Sequence, residues 1–186
     1  MGRRIDFFIE FAKAPLKVGA IIPSSRYLRR RMLSSIPFND DIVIVEYGPG
    51  NGVFTDYIAS SLTPNSTFIV VENNPSFYKN LQEKYKSYPN IHIELGSVEN
   101  IKGILSSKGI KHADYVISGI PFLSLGAEFT HTVFAATKGI LKPSSQFILF
   151  QYTRVLENIL VQHFPRYQTS QVLINFPPAI VFKAQA

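Results

Sequence analysis

This sequence predicts a layered α/β fold, with a mostly parallel seven-stranded sheet and helices on both faces. From Asp41 onward, short runs rich in β-branched and aromatic residues alternate with helical patterns. The runs are apolar almost throughout instead of alternating with polar residues, as strands buried on both sides are. The link between the last two runs is too short for a crossover helix, so the sheet should end in an antiparallel hairpin.

In order, the strand candidates are 42–47 (IVIVEY), 67–72 (TFIVVE), 91–95 (IHIEL), 114–118 (DYVIS), 146–152 (QFILFQY), 171–175 (QVLIN) and 179–183 (AIVFK). Pro, Asn and Gly breaks bound them. Helical patterns fall between them at about 53–62, 76–87, 98–107, 126–141 and 154–163. The short final link is Asn175-Phe176-Pro177-Pro178. These elements make one domain, residues 36–186. Residues 1–35 stand apart as an N-terminal helical segment. Ile5, Phe8, Ile9 and Ala12 follow helical spacing with Phe7 and Phe11 beside them, and Arg3, Asp6, Glu10 and Lys13 line the other side. Pro15 ends that amphipathic pattern and Pro23-Ser24-Ser25 makes a turn. A second helix, capped by Ser25, carries Arg26, Arg29, Arg30 and Arg31.

Composition narrows the function. With 46% apolar and 17% charged residues, the chain is built to bury a core. It has no cysteine, which excludes disulfides, thiolate metal sites and a cysteine nucleophile. Its four histidines have no clustered carboxylates around them, so no metal is expected. No uncharged apolar run reaches the ~18–20 residues of a membrane span. Asp6, Glu10 and Lys13 interrupt the apolar N-terminal run, so no secretory signal is read there. Residues 1–35 hold eight Lys/Arg against two acids, whereas the remainder holds eleven of each sign. The net charge of +6 therefore resides in the N-terminal segment and points to an anionic partner.

The turn after the first strand carries the chemistry. In VEYGPGNG, Gly48, Gly50 and Gly52 occupy every second position. Glycine there permits left-handed backbone and lets a ligand lie against the main chain. The dinucleotide fingerprint would need a glycine where Val53 stands, and the Gly-Lys-Ser/Thr of a P-loop is absent. No basic side chain lies in or beside the turn, so a phosphate is poorly served. Acids are present instead: Glu46 before the turn and Glu72 at the end of the second strand. An acid at the second position can accept both hydroxyls of a ribose. An acid beside the turn can face a cation. A cationic nucleoside without phosphate describes S-adenosyl-L-methionine.

With these motifs the sequence resembles the class I S-adenosylmethionine-dependent methyltransferases, whose Rossmann-like fold has the same terminal hairpin. The resemblance extends to Asn73 after Glu72, to Gly96-Ser97-Val98 after the third strand, and to Leu141-Lys142-Pro143 before the fifth. Ser97 departs from the family's usual Asp against the adenine. Two subfamilies compete. GPGNGVFT with VEN is similar to the rRNA adenine dimethyltransferases. It is equally similar to the small bacterial phospholipid N-methyltransferases, which methylate phosphatidylethanolamine. The second likeness also covers APLKVGAIIPSS (14–25), SGIPFLSL (118–125) and NFPPAIVF (175–182). In adenine N6-methyltransferases the fourth strand ends in Asn- or Asp-x-Pro-aromatic. Here Ser118-Gly119-Ile120-Pro121-Phe122 puts Gly119 where that acceptor would be. No extra C-terminal helical region is read after the hairpin either.

The resemblance thus implies N-methylation of phosphatidylethanolamine and its methylated intermediates, with RNA adenine or a small molecule as the alternatives. It implies S-adenosyl-L-methionine held by Glu46, Gly48, Gly50, Gly52, Glu72, Asn73, Gly96, Ser97, Val98, Ser118 and Gly119. Tyr27, Ile120, Pro121 and Phe122 are the expected substrate contacts. The rings of Phe122, Tyr27 and Tyr152 are placed to face a cationic nitrogen. Tyr27, Tyr152 and His131 are the candidate bases, with none singled out. Phe7, Phe8 and Phe11, with Lys17 and the Arg26, Arg29, Arg30 and Arg31 group, are read as meeting an anionic membrane surface. That makes the expected partners a membrane and a phospholipid, with nucleic acid second. The expected setting is cytoplasmic with peripheral membrane association.

Overall fold

Helix α1 (Arg26–Leu33) opens the part of the chain described by the computed structural model, residues 26–186. The helix read over residues 5–13, with Phe7, Phe8 and Phe11, lies outside the described residues, as do Lys17 and Ser25. After α1 come β1 (Val43–Tyr47), α2 (Val53–Ser61), β2 (Thr67–Glu72), α3 (Pro75–Tyr85) and β3 (Ile91–Leu95). A 3-10 turn (Val98–Asn100) leads into α4 (Ile101–Ser107), followed by β4 (Ala113–Ser118), α5 (Phe122–Leu125) and α6 (Ala127–Ile140). The chain closes with β5 (Leu141–Gln151), α7 (Glu157–His163), β6 (Arg166–Val172) and β7 (Ala179–Gln185).

The strands form one seven-stranded sheet in the order β3-β2-β1-β4-β5-β7-β6. β1 to β5 pair in parallel, and β7 is antiparallel to both β5 and β6, so the expected sheet and terminal hairpin are both present. Successive side chains of a strand point to opposite faces, which divides each apolar run between two cores. On one face Val45, Tyr47, Val71, Val116, Phe147 and Leu149 pack with α4, α6 and α7. On the other, Ile44, Phe68, Val70, Ile117 and Ile148 meet Leu28 and Met32 of α1, Phe54 and Ile58 of α2, and Leu81 of α3.

Two boundaries differ from expectation. β5 begins at Leu141, so Leu141-Lys142-Pro143 lies within the strand, with a register shift against β4 between Ala113 and Tyr115. The sixth strand runs Arg166–Val172 and not 171–175. Its sequence, RYQTSQV, is polar because it is the outer edge of the sheet and pairs only with β7. Leu173 and Ile174, read as its apolar core, stand in the following turn and are 70% exposed.

Helix α1 is fastened to the end of the chain. Arg31 Nε donates to Ser170 Oγ at 2.7 Å, and Lys183 Nζ donates to Ser34 Oγ at 2.9 Å and Ser35 Oγ at 3.1 Å. Ser35 Oγ donates to Gln146 Oε1 at 2.7 Å. Ser170 lies two strands across from Phe150, near the carboxyl end of β5, and Gln146 lies nearer its amino end. α1 therefore descends along β5, and its Arg26 end faces the carboxyl end of the sheet.

Phe122 is a correction to the sequence reading. Its ring is fully buried, 5.0 Å from Phe134 in an edge-to-face contact and 6.5 Å from Phe147. Phe134, Phe147 and Phe164 extend the cluster. The side chain belongs to the aromatic core and is closed to solvent. Phe122→Ala should therefore lower stability by about 3–5 kcal/mol, through lost apolar burial and the cavity left behind. Urea denaturation of the two forms measures this.

Candidate active site

The carboxyl ends of β1 and β4 are where the connections part, β1 leading to β2 on one side and β4 to β5 on the other. A crevice at such a switch point is the ligand site of open α/β sheets. Strands β1, β3 and β4 are each followed by a glycine that adds one more rung to the ladder. Gly48 N–H donates to Val71 O at 3.0 Å, Gly119 N–H to Tyr47 O at 3.1 Å, and Gly96 N–H to Glu72 O at 3.0 Å. Gly48 has φ 64°, and a Cβ there would come within 2.9 Å of Ile120 Cγ1. A Cβ on Gly119 would lie 3.2 Å from the Gly48 carbonyl oxygen. The β1 and β4 turns therefore touch main chain to main chain, and side chains at these positions would force them apart. Gly50 (φ 54°) and Gly52 (φ 79°) complete the left-handed turn, and Gly52 starts α2.

Glu72 joins this turn to its neighbour. Its Oε2 accepts from Gly50 N–H at 3.3 Å and its Oε1 from Asn74 N–H at 2.8 Å, while the residue is almost entirely buried. Asn74 then caps α3, accepting from Ser76 N–H at 2.9 Å. Glu46 points to the α2 face and accepts from Thr55 Oγ1 at 2.8 Å. It is 1% exposed. Burial pushes its carboxyl up to about 8, against a smaller lowering by the Thr55 hydroxyl. Asp56 and Glu72 add to the rise. Glu46 is therefore held mostly protonated at neutral pH.

The other sequence candidates divide. Ser118 is buried at the end of β4, and its Oγ accepts from Ile120 N–H at 3.2 Å. Gln151 Nε2 donates to Ile120 O at 3.1 Å, binding the end of β5 to the same turn. Asn73, Ser97 and Pro121 are exposed. Ser97 Oγ accepts from Glu99 N–H and donates to the Glu99 carboxylate at 2.9 Å. The side chain of Val98 is buried in the core with Ile101 and Leu105, which leaves its backbone to face the crevice. His131 is half-buried, and its Nδ1 lies 2.9 Å from His163 Nε2. Tyr152 packs beside Phe150, and burial raises its hydroxyl above the ordinary tyrosine value. Tyr27 is 40% exposed and receives a hydrogen bond from Arg26 at 2.8 Å.

The arginines of α1 do not act alike. Arg29 lies over the Tyr57 ring at 5.2 Å and Arg31 binds Ser170, so both also hold α1 in place. Arg26 and Arg30 are exposed. Thr55 and Gln151 were missed in the sequence. Thr55 sits inside an apolar helical run, and Gln151 between two aromatic residues of a strand, as buried polar groups with partners do.

No family model matches the chain. The ornithine lipid N-methyltransferase of Singulisphaera acidiphila is 34% identical over 145 residues, 76% of each chain. The chain belongs to the class I S-adenosylmethionine-dependent methyltransferases. The fold of this methyltransferase matches solved members. The precorrin-6Y C5,15-methyltransferase of Geobacter metallireducens superposes with a TM-score of 0.66 at 20% identity, over 86% of this chain and 88% of that one. The N-methyltransferase NodS of Bradyrhizobium japonicum, in complex with S-adenosyl-L-homocysteine, gives 0.65 at 11% identity, over 98% and 96%. The methyl donor of this family is S-adenosyl-L-methionine.

The residues present suit that cofactor. Nothing lies within 4 Å of where a Cβ on Gly50 would be, so the turn is open on that side. Among the described residues, no cation is recorded bonding to Glu46 or Glu72. The pH dependence of the apo methyltransferase follows from Glu46. With its folded pKa raised above the ordinary 4.5, its contribution to stability is complete below that value and is lost as pH rises through about 8. Glu46→Gln should flatten stability over that window, as measured by urea midpoints at several pH values.

Proposed function

We propose that this methyltransferase moves a methyl group from S-adenosyl-L-methionine to the amine of a membrane lipid, with phosphatidylethanolamine and its partly methylated forms as the leading acceptors. The similarity to a lipid N-methyltransferase over three-quarters of the chain carries this reading. The relative's own acceptor, an ornithine lipid, supports the second reading of an amino-acid head group. Both are alkyl amines on a lipid. Gly119 supplies no side-chain amide to an adenine amine, which argues against the RNA reading.

The donor supplies an activated methyl group on a sulfonium. In this reading Glu72 receives the ribose hydroxyls, and the Gly48–Gly52 turn lets the nucleoside lie against the backbone. Glu46 sits behind the turn as the acid next to the positive end. Gly96, Ser97 and Val98 would contribute to the adenine edge, Val98 through its backbone alone. Ser118, Gly119 and Ile120 form the rim across the crevice, with Tyr27, Asn73 and Pro121 at its exposed margin. Holding donor and acceptor in line and excluding water is the protein's main contribution.

The acceptor nitrogen needs a free lone pair, whereas an alkyl ammonium of this type is largely protonated at neutral pH. His131 is engaged with His163, and the raised Tyr152 hydroxyl is a poor proton acceptor near neutrality. The proton must leave before transfer, to water or to a nearby base, and of the three candidates only Tyr27 stays exposed to solvent.

With radiolabelled S-adenosyl-L-methionine, label should enter phosphatidylethanolamine or ornithine lipid and not ribosomal RNA. Incorporation into RNA alone would reverse the reading. Glu72→Ala should weaken S-adenosyl-L-methionine binding by about ten- to a hundredfold in calorimetry, the loss expected of hydrogen bonds to a charged group.

A further inference from the structure

The turn between β6 and β7 carries the most exposed of the large hydrophobic side chains among the described residues. Leu173 and Ile174 are 70% exposed and Phe176 is 72% exposed. Val172 pairs with Ala179 at the mouth of this hairpin, and Ile180 pairs with Gln151, the last residue of β5. The turn therefore emerges at the carboxyl end of the parallel strands, the end that holds the glycine turn. It is braced from within: Asn175 is buried, its Nδ2 donates to Pro177 O at 2.7 Å, and its N–H donates to Val172 O at 3.3 Å. The three apolar side chains thus project from a fixed scaffold.

Neighbouring loops at the same end repeat the pattern. Val155, after β5, is 61% exposed, and Leu125, after β4, is 48% exposed. Because β4, β5 and β7 are adjacent in the sheet, these positions follow one another along its rim. The basic start of α1, with exposed Arg26 and Arg30, faces the same end.

We propose that the Leu173–Phe176 turn is a membrane-inserting loop that seats the crevice on an anionic lipid bilayer. Apolar tips flanked by arginine suit the boundary between acyl chains and head groups, where the tips leave water and the guanidinium groups meet lipid phosphates. An acidic protein surface would satisfy the arginines but not three large apolar side chains held outward. The proposal rests on the lipid-substrate reading, because it explains how a site at the sheet's rim reaches an amine that stays in its membrane.

The chain contains no tryptophan, so Phe176→Trp installs a single reporter at the turn. With vesicles of equal parts phosphatidylcholine and phosphatidylglycerol, its emission should move to shorter wavelength, and acyl-brominated lipid should quench it. The triple variant Leu173→Ser, Ile174→Ser, Phe176→Ser should bind these vesicles about tenfold or more weakly, as loss of buried apolar area demands. Its affinity for S-adenosyl-L-methionine should be unchanged, which shows that it folds. Emission that stays at the water-exposed wavelength while the protein sediments with vesicles overturns the proposal. So does emission already at the buried wavelength without vesicles and unchanged by them, which would mean that another part of the chain or a second copy covers the turn. Insertion without lipid methylation keeps the loop and removes the lipid-substrate reading. Lipid methylation with the indole reporter left in water does the reverse.

Discussion

Two backbones that touch without side chains between them set the architecture of this protein. The Gly48 carbonyl and Gly119 lie in close approach, and Ile120 sits where a Cβ on the left-handed Gly48 would intrude. That contact fixes the distance between the β1 and β4 turns at the point where the sheet's connections diverge. Glu72 then ties the glycine turn to the start of α3, and Gln151 ties the β4 turn to the end of β5. The rim of the crevice is a chain of main-chain contacts and buried polar bonds, and such a rim is positioned by the sheet itself.

The two acids show how one turn can hold carboxyl groups in different surroundings. Glu46 lies on a strand under α2, where it accepts from the Thr55 hydroxyl, and the loss of water favours its proton. Glu72 stands at a strand end and accepts two backbone N–H groups. A cation arriving at the glycine turn would favour ionisation of Glu46. If the proposed cofactor lies there, its binding would be linked to release of a proton.

Much of this was legible in the sequence because buried parallel strands write themselves plainly. IVIVEY, TFIVVE and DYVIS are apolar on both faces and leave few alternatives. The glycine spacing and the two acids were equally readable, since each follows from what a left-handed turn and a phosphate-free ligand require. The failures share a cause. QVLIN is read by hydrophobicity and Phe122 by its place in the motif, and neither says in which direction a side chain points. Leu173 and Ile174 face outward from a turn, whereas Phe122, placed in the crevice by proximity, faces an aromatic core. Edge strand β6 was misplaced because an edge tolerates Arg, Gln, Thr and Ser, and so lacks the apolar signature of its neighbours.

The bonds from α1 to the last hairpin bear on how the chain is made. Ser34 and Ser35 hold Lys183, and Arg31 holds Ser170, across 139 to 149 residues of sequence. A nascent chain leaves the ribosome from its N-terminus, so α1 emerges long before the strands that secure it. Leu28 and Met32 share a core with Ile148 and Val181 as well as with earlier residues, so their packing is complete only once β7 has been made. Docking of α1 thus waits on the β6–β7 hairpin.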